Sequence, residues 1–99
     1  MEQKYAQVRK YLTNPIAVNV ASKPLDLETA KRIAAEKARE QSPDAMLLSW
    51  YDGKTGEAVP KAECGFGDKP GWITFAESRG GTLTIDINAG EYIFMYKPL

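Results

Sequence analysis

The stretch that most restricts what this chain can fold into is residues 71–96, which reads as three short β-prone runs joined by glycine-bearing turns. Trp72-Ile73-Thr74-Phe75-Ala76-Glu77 leads into Arg79-Gly80-Gly81. Thr82-Leu83-Thr84-Ile85-Asp86-Ile87 leads into Asn88-Ala89-Gly90, and Glu91-Tyr92-Ile93-Phe94-Met95-Tyr96 closes the block. Each run alternates with period two and is rich in β-branched and aromatic residues. Three-residue loops with a terminal left-handed glycine predict that Ile85 faces Ile93, Leu83 faces Met95 and Phe75 faces Ile85. One sheet face then collects Ile73, Phe75, Leu83, Ile85, Ile87, Ile93 and Met95 as a core. The other collects Trp72, Thr74, Ala76, Thr84, Asp86, Tyr92, Phe94 and Tyr96, a mixture of rings, hydroxyls and a carboxylate.

A helix to cover the core face is written over residues 26–41. Asp26 is a good N-cap and Glu28 sits in the positively polarised first turn. Leu27, Ala30, Ile33, Ala34, Ala38 and Gln41 form one stripe, and Pro43 restricts the residue before it, so the helix stops near Gln41. The stripe is mostly alanine, which lets the helix axis lie close to a sheet whose own side chains are bulky. Residues 45–51 read as a buried strand. Asp52-Gly53-Lys54-Thr55-Gly56 reads as a turn, and Glu57-Ala58-Val59 as a short strand that Pro60 confines to an edge. Residues 4–12 place Tyr5, Val8 and Leu12 at helical spacing, a short N-terminal helix ended by Pro15. Ile16 to Ala21 is β-rich and fits an added edge strand or an extended connection. Residues 61–71 read as a loop. The expected fold is therefore one α+β domain, residues 1–99. Its antiparallel sheet has four to five strands, a C-terminal meander, and the main helix on one face.

Composition removes several functions. The 99 residues carry 13 basic and 13 acidic side chains, so net charge gives no general attraction to nucleic acid or an anionic membrane. Residues 1–40 hold eight basic and five acidic groups, and residues 41–99 five and eight. That asymmetry favours internal pairing or self-association over DNA. There is no histidine, so the commonest general base and transition-metal ligand are absent. Cys64 is the only cysteine, which rules out an internal disulfide and a cysteine-rich zinc site. No apolar run approaches ~18 residues, and the chain is expected to be cytoplasmic, with no cofactor and no metal.

The motifs that suggest chemistry have plainer readings. Gly53-Lys54-Thr55 resembles the end of a phosphate-binding loop, but Leu48 stands where the motif needs a glycine. Asp86-Ile87-Asn88-Ala89-Gly90-Glu91 is superficially like a calcium loop with its glycine at the wrong offset. Cys64, flanked in sequence by Lys61 and Lys69, is the one candidate nucleophile. Its activation would need a neighbouring cation or helix N-terminus.

A set of short segments runs through residues 50–96: Trp50-Tyr51-Asp52, Lys54-Thr55-Gly56-Glu57, Glu63-Cys64, Pro70-Gly71-Trp72, Arg79-Gly80-Gly81, Asp86-Ile87-Asn88 and Gly90-Glu91-Tyr92. This pattern resembles a family of small uncharacterised bacterial proteins, a domain of unknown function. The resemblance implies a compact α+β domain and carries no activity with it.

The functional expectation is a small non-enzymatic binding or interaction module. Trp72, Thr84, Asp86, Tyr92, Phe94 and Tyr96 are its candidate ligand or interface residues. An aromatic face of this size is rarely left wet, so a second copy of the chain or the N-terminal segment is expected to cover it. A small-molecule site on that face and a thiol-based enzyme using Cys64 are the alternatives.

Overall fold

The computed structural model describes residues 8–21, 25–60 and 69–98. Five strands form one sheet: β1 (Pro15–Val18), β2 (Met46–Asp52), β3 (Glu57–Val59), β4 (Leu83–Ile87) and β5 (Tyr92–Lys97). Their order is β1-β4-β5-β2-β3. Two helices, α1 (Leu27–Gln41) and α2 (Gly71–Ser78), complete the described elements. The sheet is mixed: β4, β5, β2 and β3 pair antiparallel, while β1 runs parallel to β4. The expectation of a wholly antiparallel sheet is corrected by that one pair.

α1 forms where the sequence predicts it. The Asp26 carboxylate accepts the Thr29 N–H at 2.8 Å, closing the first turn. That bond holds the Asp26 carboxyl below its ordinary value. At the other end the Ser42 N–H reaches the Ala38 carbonyl at 2.9 Å. Ala30, Ala34 and Ala38 are fully buried, and Leu27 and Ile33 pack at the margins. Fifteen residues give a rod of about 22 Å, which spans the sheet.

Residues 72–77 are helical, and the expected three-stranded meander is a two-stranded hairpin. α2 buries Trp72, Ile73 and Ala76, positions one and four apart, against the face opposite α1. It ends in a Schellman motif: the Gly81 N–H bonds the Ala76 carbonyl at 2.8 Å and the Gly80 N–H the Glu77 carbonyl at 3.2 Å. Gly80 takes φ +87°. Arg79-Gly80-Gly81 is thus a helix cap, a job that needs the same left-handed glycine as a hairpin bulge.

The β4–β5 loop also departs from expectation. It holds four residues, so Ile87 pairs with Tyr92, Ile85 with Phe94 and Leu83 with Tyr96. Glu91 belongs to the loop and donates its N–H to the Ile87 carbonyl at 3.0 Å. One extra residue turns all of β5 over. Leu83, Ile85, Ile87, Tyr92, Phe94 and Tyr96 therefore pack together beneath α1, while Ile93 and Met95 pack with Trp72, Ile73, Ala76 and Val8 on the other side. A bulge at Leu48 in β2 keeps Leu47 and Trp50 on the α1 side and Ser49 and Tyr51 on the α2 side. Helices cover both faces of the sheet.

Candidate interaction site

The six residues singled out from the sequence do not share a surface. Tyr92, Phe94 and Tyr96 lie in the core beneath α1, with Phe94 fully buried. Burial lifts the Tyr96 phenol to a pKa of about 12, with Arg39 pulling weakly the other way. Trp72 is buried on α2, stacked on Tyr51 at 5.4 Å between ring centroids and 6° between planes. Thr84 and Asp86 are buried side chains of β4. The expected aromatic face, covered by a second copy or by the N-terminal segment, is corrected: α1 covers Tyr92, Phe94 and Tyr96 within the same chain, and Trp72 packs on the opposite side of the sheet. The N-terminal turn, through Val8, Tyr11 and Leu12, lies against the α2 side instead. Tyr5 and Cys64 fall outside the described residues.

Two polar clusters organise the loops. In the first, the Asn88 amide donates to the Val20 carbonyl at 3.1 Å and to Glu91 Oε1 at 2.8 Å, and accepts the Val20 N–H at 2.7 Å. Asp86 Oδ1 accepts the Gly90 N–H at 2.8 Å. Lys54 meets Glu91 Oε2 at 3.2 Å and donates to the Leu25 carbonyl, which also accepts the Tyr92 hydroxyl at 3.2 Å. The Glu91 carboxylate holds the Lys54 ammonium above its ordinary pKa. These contacts pin the end of β1, the start of α1 and the β2–β3 turn onto the β4–β5 loop. The second cluster joins Lys69 and Thr13 to Glu77 on α2, with the Lys69 ammonium 6.0 Å from the Tyr11 ring centroid. Both clusters satisfy their own charges, and their chemistry is that of clamps. Among the described residues no group of three acidic or cysteine side chains is placed to hold a metal ion. None of their helices is long and apolar enough to cross a membrane.

Among the described residues the edge of β1 is open. The Val18 carbonyl accepts the Asn88 N–H at 2.8 Å, so it points inward to β4. Strand alternation then turns the N–H and C=O of Ala17 and Asn19 outward. Both residues are exposed, and among the described residues no contact outside the β1–β4 pairing engages their backbone. Beside this edge runs a groove of about 310 Å³ between residues 16–19 and Lys37, Glu40 and Gln41 of α1. A second depression, about 490 Å³, continues past Pro15 toward Thr82 and Pro98 and shares Ile16 and Gln41 with the first. The sequence of this segment fits either a strand or an extended connection, and the structure makes it a strand. The signal was present in the alternation of Ile16, Val18 and Val20 against Ala17, Asn19 and Ala21.

A family model described as a domain of unknown function, DUF5619, matches residues 13–96. The chain belongs to that family. The likeness read from residues 50–96 thus extends over nearly the whole fold, and β1, its groove and α1 all lie inside the family's domain. The chain is also similar to the crystal structure of AF1514, a novel protein from Archeoglobus fulgidus DSM 4304. The two share 34% sequence identity and a TM-score of 0.74, over 89% of this chain and 96% of that one. No curated protein matches the chain.

Proposed function

We propose that this chain is a non-enzymatic interaction module whose recognition surface is the free edge of β1 together with the groove between that edge and α1. The observation that carries the reading is the outward-facing backbone of Ala17 and Asn19 beside an open channel. Strand addition works through such groups: main-chain bonds supply affinity, and the flanking wall selects the partner. Ile16 and Val18 give the channel an apolar floor, while Lys37, Glu40 and Gln41 give it a polar rim. The opposite edge is a poorer acceptor, because β3 is three residues long and is followed by Pro60.

The test uses a fluorescent eight-residue peptide with the sequence of residues 14–21, which presents an extended strand of matching pattern. Anisotropy should rise on titration with the protein held dilute, and Ala17→Pro should abolish the rise. That substitution removes one outward N–H and leaves the bonds to β4 in place. A peptide that fails to bind, or binds the variant equally well, contradicts the reading.

A further inference from the structure

Resting on that reading, we propose that the strand received by the groove is β1 of a second copy of this chain, paired antiparallel about a two-fold axis at Val18. In an antiparallel ladder, directly opposed residues of a hydrogen-bonded pair exchange both their N–H and their C=O. With Val18 opposite the partner's Val18, Ala17 faces the partner's Asn19 and Asn19 faces the partner's Ala17. All four outward groups on each edge are then used, and donors balance acceptors.

The helix wall fits the same axis. A two-fold perpendicular to the sheet places both copies of α1 on one face, running antiparallel. Lys37 and Glu40 stand over residues 16–19, one helical turn apart, so the axis brings Lys37 toward the partner's Glu40 and Glu40 toward the partner's Lys37. Within one chain these two form only a loose 3.8 Å pair, with side chains 43% and 62% exposed, and are free to exchange. A charge pattern that complements itself under a two-fold suits an isologous dimer.

The fold also limits the assembly. Pro15 lies at the start of β1 and has no N–H to offer, so the ladder stops there. Pairing consumes β1 in both copies, which closes the contact at two chains. The paired strip is short of the ~1,200 Å² of a stable interface, so the dimer forms at high concentration.

Sedimentation velocity from about 10 µM to about 1 mM reads this directly. The parent should pass from monomer to dimer, and Ala17→Pro should remain monomeric with an unchanged far-UV spectrum. Lys37→Glu, an exposed change that cannot disturb the core, sets like charges across the axis and should weaken the dimer roughly fivefold. The reversal Lys37→Glu with Glu40→Lys should restore it. A parent that stays monomeric while the residue 14–21 peptide still binds overturns self-pairing and leaves the strand-accepting edge standing. Loss of both overturns both. A dimer that the reversal fails to recover, or that Ala17→Pro leaves intact, belongs to another surface and contradicts the proposal.

Discussion

Met95 on β5 is flanked by two side chains whose polarity the core does not use. Ser49 on β2 and Thr84 on β4 both lie opposite it in register, both are fully buried, and neither hydroxyl has a hydrogen-bond partner among the described residues. A buried group left without a partner keeps its desolvation penalty and gains nothing in return. Thr84→Val keeps the branched shape and removes the orphan oxygen. It should be neutral to stabilising, by up to about 1 kcal/mol, as read by the urea midpoint at unchanged slope. A loss of more than that would show that the hydroxyl has a partner in solution. Asp86, two residues on, is the opposite case, since its carboxylate holds the Gly90 N–H and fixes the loop that sets the register.

At the scale of elements, the end of α2 governs how the chain passes into β4. A Cβ on Gly81 would lie 2.8 Å from the Ala76 carbonyl oxygen, with no flexible side chain to give way. A Cβ on Gly80 would meet only the Lys97 stem, at 3.6 Å, but the backbone there is left-handed. Gly80→Ala should therefore cost about 1–2 kcal/mol, and Gly81→Ala more, because the helix must shift to admit it. Equal and negligible losses in chemical denaturation would contradict the cap. The same motif explains what was legible in the sequence and what was not. α1 could be read because an N-cap, a 3.6-residue stripe and a stop coincide over fifteen residues. α2 spans eight, too few for period to separate helix from strand when four of them in a row, Trp72 to Phe75, are β-prone. Its glycines serve either structure. The β5 register turned on Glu91 alone, whose place in the loop depends on backbone bonds that no side-chain pattern announces. The β1 edge was half legible: its alternation was visible, but its parallel pairing with β4 joins residues nearly seventy positions apart.

For the whole molecule, two covered faces leave the rim of the sheet as the proposed recognition surface. Cores lie on both sides of β4 and β5, and the rings that looked like an interface are packed within one chain. Among the described residues the β1 edge carries no bulge, covering helix or lysine, and the proline that blunts an edge stands only at its first position, Pro15, leaving Ala17 and Asn19 open. Hydrogen exchange followed residue by residue tests this account most directly. In dilute protein the Ile16 and Val18 amides, bonded to β4, should exchange slowly, and the alternating Ala17 and Asn19 amides rapidly. At high protein concentration all four should be slow, and Ala17→Pro should leave Asn19 fast at every concentration. Slow exchange of Ala17 and Asn19 in dilute monomer, or fast exchange of all four at high concentration, would contradict the claim that β1 presents a free edge to a partner strand.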